Sequence, residues 1–438
     1  YIWTASRAIA QDKNSKPTIG CIGIGGSRGR YNRGRSVSDQ AAKLGQVIAI
    51  CDVDDKHASE YQAKFEGKPN TYRDYRELLE KDKPDIIVVG TPDHWHVPIS
   101  IAGMRSGCDV YCEKPLTLTI QEGIDINQVV KETGRVFQVG TQQRSEFNQD
   151  FLKAVAMVHS GRLGDDVNAY VAIGGGPTGG PFETSPPPED IDWNMWLGPA
   201  KEAEYSEERR RMFRWYFDYS GGKRTDWGAH NIDIAQWALG KQNTGPTTVS
   251  AKGDFPPIVP DNFPWDAYLN GDASLPNGYH TPSKFNIDLK FDDGTLLSVN
   301  DKYERDEKTN FGNGVLLEGS KGRIFVNRGK LVGAPMDALT ESDNEELETM
   351  MTDLYKGKER KGHMKNFFDC LEDRTQPVSD TETHHRTMTS CHLCNISLML
   401  GRDLSWDPVK EEFVGDEQAT ALKTRKSRAG FSMDTVPA

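Results

Sequence analysis

The sequence lacks what would commit it to nucleic acid, to a bilayer or to an oxidised scaffold. Positive charge is in deficit: 53 lysines and arginines stand against 65 aspartates and glutamates, a net charge of −12. That balance argues against a phosphate backbone or an anionic membrane surface as partner. No apolar run approaches the ~18 residues that a membrane-spanning helix needs. No internal repeat with a period of roughly 20–50 residues is visible. Cysteine is sparse and odd in number, seven in all, scattered through apolar segments. No disulfide framework follows, and the thiols read as buried. Cys391-His-Leu-Cys394 has CxxC spacing but sits in an amphipathic helical pattern. Neither it nor His384-His385 has a convincing ligand set, so no metal is expected.

What is present is a polar, globular composition over 438 residues, too long for one ordinary core. Residues 1–16 read as an N-terminal arm or a signal-peptide remnant. Ala8-Ile9-Ala10 fits the A-x-A cleavage pattern of a periplasmic or exported protein, although the basic and fully apolar stretches of a leader are missing and a cytoplasmic protein with a plain arm is the alternative. From Thr18 short apolar runs alternate with helical stretches: "TIGCIGIGG", "QVIAICDVD", "PDIIVVGTPD", "CDVYCEKP" and "RVFQVGTQQR". This grammar predicts a doubly wound parallel sheet over residues 17–144. Beyond it, alternating runs and a hairpin signal at Asp293-Gly294 predict an α+β domain over 145–405 with a large, mostly antiparallel open sheet. Residues 406–438 read as a charged, extended tail.

The first apolar run enters a glycine loop with Gly23, Gly25, Gly26 and Gly29, followed by Ser27 and Arg28 among its residues. A strand running through G-x-G into a helix lets backbone approach a pyrophosphate. The third glycine comes one residue late for the strict fingerprint. Asp52 closes the second run, where an acid accepts hydrogen bonds from the adenosine ribose and repels a 2′-phosphate. NAD is thus favoured over NADP; Arg28 and Arg30 keep a 2′-phosphate as the lesser option.

A second constellation lies in "SGGKRTDWGAHNIDIAQWALG". With a helix starting at Asp226, capped by Thr225 and stopped at Gly240, Asp226, His230 and Asp233 share one face. The face turns apolar further on, as in a buried helix whose first turns line a cavity. Histidine there is suited to proton exchange near neutral pH, and the bland reading is a satisfied core histidine. The loop aromatics Trp193, Trp196, Trp215 and Tyr216 either stack on a sugar or pin a long connection to the core.

Together these motifs resemble the glucose–fructose oxidoreductase/inositol dehydrogenase/rhizopine-catabolism family (Gfo/Idh/MocA) over about residues 17–405. The carriers are the glycine loop, "CDVD", "TPDHWH", "CEKP" and "GGKRTDWGAHNID", with "DWNMWLGP" and "LSWDP" resembling a larger, often exported branch. The resemblance implies that Lys114 sits beside the nicotinamide and the reacting hydroxyl, with Glu113 on the nicotinamide ribose. It implies Thr91, Pro92, Trp95 and His96 as the loop beside the cofactor, and Gln142 and Arg144 at the domain junction. Asp226 and His230 would meet the substrate, His230 as acid/base, and Asp233 would be a weaker contact.

The activity so implied is hydride transfer to or from a secondary alcohol of a sugar, glycoside or cyclitol. A second reading uses the same site as a redox-neutral glycosidase or lyase, with tightly bound NAD and a 3-keto sugar. A third is a non-catalytic nicotinamide-binding sensor, which predicts a degraded site. The expected partners are a small carbohydrate or polyol and a second copy of the chain, in a homodimer or homotetramer through the open sheet face. Whether the Lys114–Pro115 bond is cis is a further expectation.

Overall fold

A computed structural model describes residues 16–306 and 309–432. The proposed cleavage pattern at residues 8–10 lies outside them. Six strands build the first sheet: β1 (Thr18–Ile22), β2 (Gln46–Cys51), β3 (Asn70–Tyr72), β4 (Ile86–Val89), β5 (Asp109–Glu113) and β6 (Phe137–Gly140). They pair in parallel in the order β3-β2-β1-β4-β5-β6. Helices α1 (Arg33–Ala41), α2 (Asp55–Gln62), α3 (Tyr75–Lys81), α4 (His96–Arg105) and α5 (Ile120–Thr133) connect them. Covered on both faces, β4 and β5 bury every residue, which is why their sequences are continuous apolar runs. The order reverses between β1 and β4, and a crevice opens at their carboxyl ends. β3 was not among the expected strands; its three residues are too short to show a pattern.

The second domain carries β7 (Asn168–Ala172), β8 (Thr248–Asp254), β9 (Lys284–Lys290), β10 (Leu296–Asn300), β11 (Tyr303–Asp306) and β12 (Thr309–Phe311). It continues with β13 (Gly314–Gly319), β14 (Gly322–Asn327), β15 (Lys330–Val332), β16 (Leu404–Asp407) and β17 (Glu412–Phe413). Nine of these form one sheet in the order β15-β14-β13-β7-β10-β9-β8-β16-β17, while β11 and β12 pair separately. Only β7 and β10 are parallel neighbours. The expected hairpin joins β9 to β10, with Gly294 at φ 89°. One face of the sheet packs its Val171, Leu289, Val299 and Leu317 against helices Asp150–His159, Gly228–Ala238 and Thr381–Leu400.

Two expectations need correction. The stretch after residue 405 is no extended tail: Trp406 and Phe413 are buried in the second core, and Phe431 packs edge-on against Trp95. Its apolar residues are spaced among charges, which hides a docked segment from a charge-based reading. The second constellation forms two helices rather than one starting at Asp226: Lys223–Asp226, with Gly222 as its N-cap, and Gly228–Ala238, which follows Trp227 and carries His230 and Asp233, so Thr225 caps neither. Thr225 Oγ1 instead accepts from Gly221 N at 3.0 Å. Gly240, at φ 69°, ends the helix as expected. Helix His363–Asp373 crosses back, adding Phe367 and Cys370 to the core beneath β1 and α1. The cysteines are free and buried, as their apolar surroundings indicate.

Candidate functional site

A cleft of about 630 Å³ runs from the glycine loop, across the ends of β1 and β4, to the start of helix Gly228–Ala238. At its dinucleotide end Gly23 and Gly25 take φ 73° and 67°. A Cβ on Gly23 would lie 2.5 Å from Thr91, so only glycine fits. Asp52 at the end of β2 accepts from Gly25 N at 2.9 Å and Asp54 N at 3.0 Å. Its carboxylate is therefore fixed beside the loop.

The third close-packing glycine is Gly34 inside α1. A Cβ there would lie 1.9 Å from Gly23 O and 3.1 Å from Gly90 O, whereas at Gly29 the nearest atom is 3.3 Å away. The fingerprint is intact but interrupted by a longer loop carrying Tyr31 and Asn32. The first turn of α1 holds no acidic side chain, so its amides face the cleft without a competing carboxylate. Arg28 is committed elsewhere: its two terminal nitrogens each donate to Asp190 at 2.7 Å. Gly26 and Ser27 turn away from the cleft, with Gly26 against His57 and Ser27 Oγ donating to Glu60 at 2.5 Å.

At the other end β5 delivers Glu113 and Lys114, and the Lys114–Pro115 bond is cis. Glu113 accepts from Arg33 Nε at 2.9 Å and Gln142 Nε2 at 2.8 Å. Lys114 Nζ donates to Asp226 O at 2.8 Å and Asp226 Oδ1 at 2.6 Å. Arg214 Nε reaches the same oxygen at 3.3 Å. Burial alone would raise the Asp226 carboxyl; Lys114 and Arg214 outweigh it and hold the group well below the usual carboxylate range. His230 is pushed the opposite way from a solvated imidazolium: burial first, then Lys114 and Arg328, keep it neutral far below 6.5. Its Nδ1 has no hydrogen-bond partner among the described residues. His96 bridges the carbonyls of Pro115 at 2.7 Å and Thr91 at 2.9 Å, tying the loop after β4 to the turn after β5.

Thr91, Pro92, Trp95, His96, Glu113, Lys114, Gln142, Asp226 and His230 thus meet in one cleft. Arg144 and Asp233 do not line it. They close on each other in a buried fork at 2.6 and 2.7 Å, with Arg144 also over the Trp237 ring. Trp193, Trp196, Trp215 and Tyr216 belong to the contacts of a small aromatic core that pins the long connection, although Trp196 also reaches the cleft wall. Sequence reasoning passed over Arg33, Tyr31, Arg214, Trp227 and Arg328. Gly34, in "NRGRS", is the signal that would have placed the start of α1 and Arg33 with it.

The arrangement fits a dinucleotide: a glycine cradle that a Cβ would fill, a helix N-terminus free of acid, and a ribose-side carboxylate. A profile of an oxidoreductase family with an NAD-binding Rossmann fold matches residues 18–141. The family's C-terminal alpha/beta domain matches residues 179–261 and 277–433. The WlbA dehydrogenase from Bordetella pertussis, solved with NADH and UDP-GlcNAcA, aligns at TM-score 0.60 and 16% identity over 90% of this chain and 98% of that one. Myo-inositol 2-dehydrogenase from Lactobacillus plantarum aligns at TM-score 0.58 and 17% identity, covering 89% and 99%. An alpha-N-acetylgalactosaminidase of Shewanella oneidensis is 31% identical over 164 residues, 35% of this chain. The chain spans about a third of the length of that curated relative, 34%. With profiles of both domains matching most of its length, the chain belongs to the Gfo/Idh/MocA family of NAD-binding oxidoreductases.

Proposed function

We propose that the protein transfers a hydride to or from a secondary alcohol of a sugar, glycoside or cyclitol. The observation that carries this reading is the Lys114–Asp226 pair beside His230 at the end of the cleft reached by β5. An ammonium has three donors; two of those on Lys114 are spent on Asp226, and the third is left for a substrate oxygen. His230, neutral and lining the cleft beside Lys114, takes the hydroxyl proton. Lys114 then stabilises the developing alkoxide from a fixed position. Bound NAD supplies the hydride acceptor or donor. Lys114→Ala and His230→Ala proteins are expected to bind NADH as the parent does, by fluorescence titration, with turnover down by about 10²–10⁴. Full turnover in either variant contradicts the assignment.

A second reading, a redox-neutral glycosidase or lyase passing through a 3-keto sugar, is favoured by the rim of the cleft. Arg28 on Asp190, Arg210 on Asp54 at 2.5 Å and Asp192 N on Val53 O at 2.9 Å fasten the long loop of the second domain over the adenosine side. Such a strap suits a cofactor that is kept rather than exchanged, and the matched Shewanella relative is named a glycosidase. This reading expects NAD to copurify and added NAD to give no gain in rate. A protein that is purified empty and depends on added NAD is an ordinary dehydrogenase.

Tyr170 and Phe325, partly exposed, pack on Tyr303 and Phe311 of the β11–β12 hairpin, and this aromatic patch on the nine-stranded sheet supports pairing with a second copy there. No described helix is long and apolar enough to cross a membrane. Export rests on Ala8-Ile9-Ala10 alone, and fractionation of the source cells tests it.

A further inference from the structure

The cations around the substrate end of the cleft are not equally matched. Lys114 and Arg214 share Asp226, and Arg33 holds Glu113. Arg328, in the turn between β14 and β15, has no ion pair among the described residues, and neither does Lys223. Arg328 nevertheless has a fixed position. Its guanidinium lies 4.6 Å from the Trp227 ring centroid and 4.7 Å from that of Phe147, and its Nε donates to Gln143 Oε1 at 3.3 Å. The two terminal nitrogens, a ready-made fork, have no acceptor among the described residues. Lys223 Nζ lies 5.9 Å from the same Trp227 ring. Asp226, Glu146 and Glu113 act on Arg328 only from beyond ion-pair distance. Arg328 lines the cleft with Trp227 and His230, whereas Lys223 reaches the same indole without lining the cleft; in a chain of net charge −12, an unmatched guanidinium at that place is not a general surface property.

We propose that Arg328, which lines the cleft beside Trp227, receives a carboxylate of the substrate, so that the sugar taken is a sugar acid; Lys223 adds positive charge at the same indole. The proposal rests on the oxidoreductase reading of the same site. A planar guanidinium whose Nε is occupied presents its two terminal N–H groups to a carboxylate side by side, a geometry an ammonium cannot copy. Stacking on Trp227 and Phe147 limits the ordering that binding must still impose. The contact also fixes which end of the sugar faces the entrance, and so which hydroxyl meets Lys114 and His230.

The test is binding to the NADH-loaded protein, by calorimetry, of glucuronate and galacturonate against glucose, galactose, their 6-phosphates and the methyl esters of the two acids. At least one uronate is expected to bind about tenfold or more tighter than its neutral parent and its ester, the size of a charge-assisted hydrogen bond. Arg328→Gln should abolish that preference, and Arg328→Lys should restore only part of it. Equal binding of acid, ester and parent overturns the proposal on the unaltered protein alone, whatever the variants do. A preference surviving in Arg328→Gln also overturns it, and 6-phosphates binding tighter than uronates replace the carboxylate by a phosphate. If NADH itself does not bind, the oxidoreductase reading fails and the proposal with it. If NADH binds and neutral sugars are turned over without a preference for acids, only the proposal falls.

Discussion

Asp226 joins the two halves of the cleft, because Lys114 from the dinucleotide domain and Arg214 from the second domain both close on its Oδ1. The carboxylate stays ionised despite burial, and Lys114 stays oriented through both the side chain and the carbonyl of the same residue. His230 gains from this in turn: a buried imidazole next to a held ammonium is disfavoured as a cation. Its proton affinity sets a pH dependence with a definite sign. In the proposed role of base, a protonated His230 could not take the substrate proton, and its pKa is held well below 6.5, so the acid limb for alcohol oxidation is expected to be displaced downward. The expected kcat/KM for oxidation is flat as pH falls through 6.5 and drops only at lower pH. The Lys114→Ala protein should move whatever residual limb it has upward, since one cause of the depression is gone. A limb centred at or above 6.5 in the unaltered protein would mean that another group takes the proton.

At the scale of elements, the join between β1 and α1 decides whether the dinucleotide end exists. Gly34 lets the helix start against Gly23 and Gly90 with no side chain between them. Gly34→Ala places a methyl 1.9 Å from a carbonyl oxygen, and neither neighbour is a flexible side chain. The helix must shift, and the overpacking should cost on the order of 1–3 kcal/mol, seen as a lower denaturant midpoint. The shift moves the α1 amides and Arg33, so NADH affinity should fall as well. Gly29→Ala is the control, with its nearest neighbour at 3.3 Å and a smaller expected effect on both. The contrast shows what was legible in the residues. The strand–glycine–helix order and Asp52 were readable, because period, turn chemistry and a terminal acid are local. The length of the loop was not, so Gly29 stood in the place that Gly34 occupies. The same holds for the partners of Arg144 and Asp233: each looked like a site residue by position, and only the fold reveals that they satisfy one another. Arg214 and Arg328 were illegible for the converse reason, since nothing near them in sequence marks a site.

Across the whole molecule, neutral histidines join the two domains. His94 of the first domain donates from Nε2 to Trp196 O at 2.9 Å. From the second domain, His363 donates to Val139 O at 2.7 Å while its Nδ1 accepts from Ser145 Oγ at 2.8 Å. His384 accepts from Leu116 N at 3.4 Å, and His392 meets Thr117 Oγ1 at 3.1 Å. Burial is the main cause that lowers all of them, His94 and His392 to about 3, His363 and His384 to about 4. The unfolded chain takes up these protons near pH ~6.5, where the folded chain refuses them. Stability is therefore complete above about 6.5 and is lost as pH falls toward 4, at about 1.4 kcal/mol per pH unit for each histidine. The paired carboxylates act in a separate window: Asp218, held at about 2 against burial by Lys201, His280 and Arg209, gives up its contribution only below about 4. Between pH 6.5 and 4.5 the histidines thus set the slope, less the one proton that Glu122, its carboxyl raised by burial to about 7, takes up in the folded state over the same range. Calorimetric scans should show a Tm that is level from pH 8 to 7 and declines steeply from 6 to 5, with the two domains parting together because the same residues join them. Replacing His363 by Gln should lower Tm at pH 7.5, where a buried bond is lost, and make the acid decline shallower by one proton. A Tm indifferent to pH across this range would show that the domains are held by other contacts.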